Sequence, residues 1–161
     1  MGLFDYPSAD PSGKSANAPP EFTLLADLPE SSWRKILAIV EKLHFRKGDC
    51  IIRQGECDNS FFILSSGSVE VVIFDPHGRE ILVFEIPQGS VFGEIAFFDN
   101  SPRTATIRAR EDGIAIRVTR KNFEHLAAWE PQIARRILFE LGSILAVRLR
   151  AATEQMSRHV I

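Results

Sequence analysis

The stretch VFGEIAFFDNSPRTAT, residues 91–106, interrupts a series of short apolar runs and differs from them in kind. It opens on Gly93 and Glu94 and closes on Arg103 and Thr104. A short helix that starts near Gly93 would expose unpaired backbone N–H groups, which attract anions. Glycine lacks a Cβ and lets a ligand approach the backbone, while arginine offers a planar set of donors that suits a phosphate. The stretch therefore predicts an anion site.

Glu94 is unexpected in such a site because a carboxylate repels a phosphate. It fits if it accepts a hydrogen bond from a sugar hydroxyl of the same ligand, while Thr104 donates to a phosphate oxygen or a base edge. A phosphate and a ribose hydroxyl bound by one loop describe a nucleotide. On spacing alone, an ordinary surface ion pair between Glu94 and Arg103 beside a turn glycine is an equal alternative.

Apolar, β-branched and aromatic runs lie on both sides of this stretch, separated by turn residues. Many short strands with glycine-rich turns are typical of an antiparallel sandwich or barrel. The strands are predicted at residues 50–52, 60–64, 69–74, 80–86, 104–109 and 113–118. The segment Asp75-Pro76-His77-Gly78 predicts a hairpin turn.

Helical patterns flank the strands. Apolar residues at helical spacing from Trp33 to Leu43 predict an N-terminal helix with Ser31 or Ser32 as its N-cap. Residues 120–128 predict a second helix, and a long third one follows Pro131 to about residue 158. The fold class is α+β, a jelly-roll-like antiparallel β barrel with an N-terminal helix and two C-terminal helices. Residues 1–21 are expected to be a flexible tail, and 22–161 one domain.

The bulk properties exclude several classes of protein. A net charge of −2 gives no basic field for nucleic acid. No apolar run reaches the ~18 residues of a membrane span, and no signal peptide opens the chain, so a cytoplasmic location is expected. Cys50 and Cys57 form no CxxC pair and the four histidines are scattered, so we expect semi-buried thiols, no metal and no cofactor.

The residues FGEIAFFDNSPRTATIRA resemble the phosphate-binding cassette of the cyclic-nucleotide-binding domain family. That family includes bacterial catabolite activators, regulatory subunits of cAMP-dependent kinase and cyclic-nucleotide-gated channels. Its pattern, FGE-[LI]-A followed after about six residues by P-R-x-A-[ST]-V/I, is met at every fixed position. Residues 45–56 and 61–71 are similar to the family's opening strands and hairpin, so the resemblance covers about residues 22–158.

The resemblance implies a role for each cassette residue. Arg103 would pair with the cyclic phosphate and Glu94 would accept from the ribose 2′-hydroxyl. The backbone N–H groups of Ile95 and Ala96 would cap the phosphate or sugar, Gly93 would permit close approach, and Thr104 would donate to the phosphate. Threonine after the arginine favours cGMP in eukaryotic members, whereas bacterial members with serine or threonine there commonly bind cAMP. We expect cAMP, with cGMP as the alternative.

The long C-terminal helix is expected to pack on the barrel and to serve as a lid or dimer seam. Its apolar residues fall largely on one stripe: Ile133, Ile137, Leu138, Leu141, Leu145 and Leu149. Residues 147–154 are similar to the catabolite activator segment that contacts adenine, which makes Thr153 the first base-contact candidate, with Arg148 and Arg150 behind it. Both arginines on a solvated face is an equally good interpretation.

The expected function is a ligand-binding sensor and not an enzyme. A nucleotide would draw the cassette helix inward, the two C-terminal helices would repack, and the output would be a homodimer change or a protein effector. No DNA-binding helix-turn-helix is expected before residue 161. The alternatives are the sensory half of a transcription regulator, a docking domain without ligand, and a cupin-like enzyme, for which the metal-binding histidines are missing.

Overall fold

Three layers make up the molecule: helices, a first β-sheet and a second β-sheet. The structure, a computed structural model, describes residues 24–25 and 27–158. The predicted tail at residues 1–21 lies outside the described residues. The helices are α1 Glu30–Leu37, α2 Glu94–Asp99, α3 Arg120–Trp129 and α4 Pro131–Arg158, and the strands are β1 Glu41–Phe45, β2 Cys50–Ile52, β3 Phe61–Ser66, β4 Val69–Phe74, β5 Glu80–Ile86, β6 Val91–Phe92, β7 Thr106–Ala109 and β8 Gly113–Val118.

The strands form two antiparallel sheets of four rather than one closed barrel. The first has the order β1-β8-β3-β6 and the second the order β2-β7-β4-β5. Each sheet mixes strands that are distant in the chain, which is the jelly-roll-like arrangement expected from the sequence. The Asp75 turn joins β4 to β5 as a hairpin, with Arg79 and His77 backbone N–H groups donating to the Asp75 carboxylate.

The first sheet lies between the helices and the second sheet, and this position explains its apolar sequence. In β3, Phe61 and Ile63 belong to the core on the helix side, whereas Phe62 and Leu64 belong to the core between the sheets. Successive side chains of a strand point to opposite faces. A strand segment that is covered on both faces must therefore be apolar at every position, as residues 61–64 of β3 are, and the strand ends on two serines where this burial ends.

The N-terminal helix is shorter than predicted, and its predicted cap is wrong. α1 begins after Pro29, with no side-chain cap, so Ser31 and Ser32 lie inside its first turn. Val40 and Leu43 fit the helical spacing, but the helix has ended and Leu43 lies in β1. β1 forms because β8 offers it a complete antiparallel partner, from Glu41 opposite Arg117 onward.

Gly113, the first residue of β8, sits where no side chain fits. A Cβ there would lie 2.2 Å from the Ser66 carbonyl oxygen and 2.6 Å from Cζ of buried Phe45. We expect Gly113→Ala to lower the free energy of unfolding by about 2 kcal/mol, since neither neighbour can retreat easily. Urea denaturation measures this loss. Gly142→Ala in α4 is the control, because no atom lies within 4 Å of its Cβ and stability should stay equal or rise. Equal stability of the two variants would contradict the packing.

Candidate functional site

Within the stretch 91–106, residues Glu94–Asp99 form α2, the short helix predicted to start near Gly93. Gly93 is the N-cap of α2, with a positive φ of 76° and no side-chain hydrogen bond to the first turn. Asn100 ends the helix in the left-handed region, which asparagine tolerates, and its N–H donates to the Ala96 carbonyl. Asp99 accepts from the Ser101 hydroxyl and N–H and starts the loop back toward Arg103.

Arg103 is held beneath the start of α2 rather than on the surface. Its side chain is 3% exposed. Nη1 donates to the Gly93 carbonyl at 2.7 Å, and Nη2 donates to the Ser60 carbonyl at 2.7 Å and to Asp58 at 3.2 Å. The Arg103 backbone also exchanges hydrogen bonds with the Gly55 N–H and the Glu56 carbonyl. Hydrogen bonds therefore hold both the backbone and the guanidinium of Arg103 in place.

One donor of this guanidinium is left over. In the part of the chain that the structure describes, Nε of Arg103 is the one buried side-chain nitrogen or oxygen without a hydrogen-bond partner. A buried donor without an acceptor costs about 1–3 kcal/mol, more when the group is charged. Such a group is rare unless an ion, a water or a ligand completes it. The site therefore fits an anion from outside the chain.

The position of the Arg103 side chain leaves room only for a glycine at residue 93. A Cβ on Gly93 would lie 2.9 Å from Nη1 of Arg103, 3.1 Å from Cδ1 of Ile52 and 3.3 Å from the Ser60 carbonyl oxygen. The positive φ adds strain for any other residue. The sequence predicted close approach of a ligand at this glycine, and the group that the structure places there is the guanidinium.

Asp58 links the cassette to the first sheet. Its carboxylate accepts from Arg103, from Nη2 of Arg117 in β8 and from the Ser60 hydroxyl. Partial burial by itself raises the pKa of Asp58, but the Ser60 hydrogen bonds and the charges of Arg117 and Arg103 outweigh it, so the pKa lies below its ordinary value. Asp58 is therefore charged at neutral pH. Its contribution to stability is complete above its ordinary pKa and is lost as the pH falls through the lowered one.

Asp58 and Ser60 are site residues that the sequence analysis missed. They lie in the loop before β3, more than forty residues from Arg103. The available signal was the polar triplet Asp58-Asn59-Ser60 directly ahead of an apolar strand. Such a triplet is also an ordinary turn, so only the fold shows that it faces Arg103.

Glu94 is buried, and its partner comes from the end of the chain. The side chain is 6% exposed and forms an ion pair with Nη1 of Arg148 in α4. Nη2 of Arg148 also donates to the Val91 carbonyl at 2.8 Å and contacts the Ser90 hydroxyl at 3.5 Å. The surface pair of Glu94 with Arg103 is therefore wrong, because each has another partner. Arg148 is not on a solvated face and lies at the cassette.

The other predicted site residues divide into two groups. Ala96 is buried in α2, while Ile95 and Thr104 are exposed beside it. The backbone N–H groups of the first turn of α2, which include those of Ile95 and Ala96, have no earlier turn to bond to. Thr153 is exposed on α4, and its hydroxyl donates to the Leu149 carbonyl of the same helix. Its contact with a base stays a prediction.

The described residues form neither a metal site nor a membrane-spanning helix. No three histidine, cysteine or carboxylate side chains of residues 24–25 and 27–158 are grouped to hold a metal ion. Cys50 and Cys57 are unpaired and exposed, not semi-buried as expected. None of the helices in this part of the chain has both the length and the apolar surface needed to cross a bilayer.

Comparison with known families identifies the fold and the cassette together. The model of the cyclic nucleotide-binding domain matches residues 42–128, more than half of the chain and all of the site from Asp58 to Arg103. The chain belongs to the cyclic nucleotide-binding domain family.

Relatives of this chain include kinase regulators. It is 34% identical over 106 residues to the cAMP-dependent protein kinase regulatory subunit of Blastocladiella emersonii and 38% identical over 94 residues to human cGMP-dependent protein kinase 2. These matches cover 66% and 58% of this chain, but only 26% and 12% of the two relatives.

A solved structure supports the fold. The catabolite activator protein of Thermus thermophilus superposes with a TM-score of 0.75 at 23% identity. The superposition covers 86% of this chain and 63% of that protein. The fold prediction, an antiparallel jelly-roll-like domain with helices at both ends, is confirmed.

Proposed function

We propose that this chain binds a 3′,5′-cyclic nucleotide, cAMP in preference to cGMP, and acts as an allosteric sensor. The observation that carries the proposal is the buried, unpartnered Nε of Arg103. A phosphate oxygen is, with a carboxylate oxygen, among the acceptors that a guanidinium binds most strongly. The other two nitrogens of Arg103 are held by the protein, which fixes the orientation of the group, and Nε has to be uncovered before a phosphate oxygen can reach it.

The charged side chains around Arg103 already balance one another. Arg103 shares Asp58 with Arg117, and Arg117 also pairs with Glu41, so the cluster holds two cations and two anions. The backbone N–H groups at the start of α2 add partial positive charge close by. A phosphate would therefore be bound by these N–H groups and by Nε of Arg103, and not by an excess of charged side chains.

Glu94 would accept the ribose 2′-hydroxyl, as the family resemblance implies. Its Oε1 is held by Arg148, which fixes the carboxylate and ties it to α4. A sugar hydroxyl that engages this carboxylate would alter the pair, so occupancy of the cassette and the position of α4 are linked. The ligand shifts this balance only by its different affinity for the two arrangements.

The proposed base is argued from Thr104 and from the names of the relatives. Thr104 is exposed directly after Arg103 and can donate to a phosphate oxygen or to guanine. Relatives of this chain are named as cAMP-dependent and cGMP-dependent proteins alike. We keep cAMP as the proposed ligand, and the cytoplasmic location and the absence of enzymatic activity as predictions.

Isothermal calorimetry with cAMP and with cGMP tests the proposal. We expect saturable binding of both, with the tighter one displacing the other in competition, and weaker binding of 5′-AMP, which carries a second phosphate charge and no ring. No heat and no thermal shift with either cyclic nucleotide would refute the function. Tighter binding of cGMP would reverse only the choice of base.

The output would run through a homodimer formed by α4. Six exposed residues follow one another at spacings of three and four along this helix, the pattern of a coiled-coil seam. They are Phe139, Gly142, Ala146, Leu149, Thr153 and Met156. Phe139 and Leu149 are each 69% exposed, and the two small residues between them would let a second helix approach closely. The apolar residues Ile133, Ile137, Leu141 and Ile144 face the domain core instead.

We expect Leu149→Glu to convert a dimer to a monomer, because it places two like charges at the centre of this seam. Sedimentation velocity over a range of concentrations measures the change. Glu154→Lys, which alters charge on the same helix outside the seam, should leave the dimer intact. A parent chain that stays monomeric at every concentration would exclude this output.

Two alternative functions remain for this domain. The sensory half of a transcription regulator and a docking domain without ligand share this fold. The full-length reading frame decides the first, and the titration above decides the second. An effector protein is the proposed output if α4 forms no dimer.

A further inference from the structure

Gln54 lies where the second sheet ends and the cassette loop joins it. β7 lies between β2 and β4, and it starts at Thr106, two residues later than the sequence predicted. Gln54 comes two residues after the end of β2, and its side chain reaches Phe74 at the end of β4. Nε2 of Gln54 donates to the Phe74 carbonyl at 3.2 Å, and Oε1 accepts from the Phe74 N–H at 2.8 Å. The side-chain amide therefore joins the two strands that lie on either side of β7.

This amide makes the hydrogen bonds that a longer β7 would make. Continuing the register of β4 and β7 by two residues places Thr104 opposite Phe74. Successive residues of a strand direct their backbone groups to opposite sides. Because the Asp75 N–H donates on the β5 side, the backbone groups of Phe74 face β7. Gln54 satisfies these groups, so residues 103–105 can leave the sheet and contribute to the site.

The backbone of Gln54 is held as well. Its N–H donates to Oγ1 of the buried Thr106 at 3.0 Å. Gln54 is the second residue of a turn that is closed by a hydrogen bond from the Glu56 N–H to the Arg53 carbonyl. Gly55, the third residue, has a φ of 86°, a conformation that glycine adopts without strain. The turn is thereby attached to both β4 and β7.

The same turn holds the backbone of Arg103. The Gly55 N–H donates to the Arg103 carbonyl, and the Arg103 N–H donates to the Glu56 carbonyl, each at 2.8 Å. The guanidinium of Arg103 is buried, so a displacement of its backbone moves donors that have little space in which to compensate. The position of these donors therefore depends on Gln54 through the turn.

We propose that Gln54 is a positioning residue for cyclic nucleotide binding, which sets the place of Arg103 beside the phosphate. The inference rests on the proposed function. Gln54 acts through Arg103 and needs no contact with the ligand. Glutamine suits this position because its amide carries both donors and an acceptor, as the peptide group that it replaces does. Glutamate keeps the length and the acceptors but has no donor for the Phe74 carbonyl, and alanine has neither.

Calorimetry with cAMP and with cGMP on the whole chain tests the effect on binding. We expect Gln54→Ala to weaken binding about tenfold, the effect of losing one or two hydrogen bonds that support a binding group. Gln54→Glu should weaken binding as well, because its carboxylate faces the Phe74 carbonyl. Arg53→Met is the control, since Arg53 is the neighbouring residue of the same turn and its side chain is 72% exposed. It should leave the dissociation constant within about twofold of the parent.

The buried Nε of Arg103 supplies a readout of position that a general loss of stability would not change. Its N–H resonance in isotope-labelled protein is assigned by its disappearance in Arg103→Lys. We expect this resonance to shift in ligand-free Gln54→Ala relative to the parent, and to change less on addition of nucleotide. In Arg53→Met it should stay at the parent position. Urea denaturation of every variant shows whether the protein is folded under these conditions.

Unchanged affinity in folded Gln54→Ala would overturn the inference and leave the proposed function standing. Weaker binding with an unmoved Arg103 resonance would overturn it too, because Gln54 would then act by another route. If Gln54→Ala does not fold, Gln54→Glu decides between the same outcomes. If the parent binds neither nucleotide, the proposed function fails first, and the ligand-free resonance alone shows whether Gln54 sets the place of Arg103.

Discussion

Arg103→Lys is expected to weaken the binding of cyclic nucleotide about a hundredfold, a loss of about 2.8 kcal/mol. Lysine keeps the charge but offers a single donor atom in place of three. Its ammonium can reach the carbonyl of Gly93 or of Ser60, but it has no counterpart of the free Nε. Calorimetry of the parent and the variant measures the ratio of dissociation constants directly.

The same substitution disturbs the fold, so binding must be compared in folded protein. Asp58 and the carbonyl groups of Gly93 and Ser60 lose some of the hydrogen bonds that Arg103 donates to them. We expect this loss to cost about 1–3 kcal/mol of stability. Urea denaturation measures this cost and shows whether the variant is folded at the temperature of the titration. Arg110→Lys, on the outer face of the second sheet beside Glu70 and Glu85, is the matched control and should change neither quantity. Unaltered affinity in folded Arg103→Lys would mean that the phosphate lies elsewhere.

Arg148→Met is expected to lower the free energy of unfolding by about 3 kcal/mol, since it leaves the buried Glu94 carboxylate without its counter-charge. Most of that cost is the isolated charge and not the lost contact. Adding Glu94→Gln should therefore recover about 2 kcal/mol in the double variant, which makes the pair strongly non-additive. Urea denaturation of the parent, both single variants and the double variant completes the cycle.

Arg150→Met is the control for this cycle, because Arg150 is exposed on α4 two residues farther on. It should leave stability within about 0.5 kcal/mol of the parent. Additive costs in the Glu94 and Arg148 cycle would show that the two side chains do not interact in solution. The proposed link between the cassette and α4 would then lose its physical basis.

The strands show where the local sequence pattern was sufficient to predict the secondary structure. The bounds of β4, β5 and β8 agree with prediction because each is a run of apolar and β-branched residues with a glycine or proline near at least one of its ends. β1 was missed because Glu41-Lys42-Leu43-His44-Phe45 has no such pattern, and its spacing with Val40 fits a helix as well. Its structure comes from pairing with β8, a strand more than sixty residues away.

The residues of the site also divide into those that the local sequence predicts and those that it does not. Gly93, Glu94 and Arg103 could be predicted because one short segment carries them all in a specific order. The partners of the two charged residues could not, since Asp58, Ser60 and Arg148 come from three different parts of the chain. Sequence reasoning placed Arg148 behind Thr153 as a candidate for contact with the base, or on a solvated face, whereas the structure places it on the Glu94 carboxylate.

By itself, then, the sequence determined which backbone segment would bend into a short helix, and which cation and which acid that segment would carry. Those are properties of neighbouring residues, set by backbone conformation and side-chain chemistry. Only the tertiary structure decided that Arg103 would be buried with one donor unpaired and that Glu94 would be tied to α4. Burial and ion pairing depend on which distant surfaces pack together, and that is decided by the free energy of the whole fold.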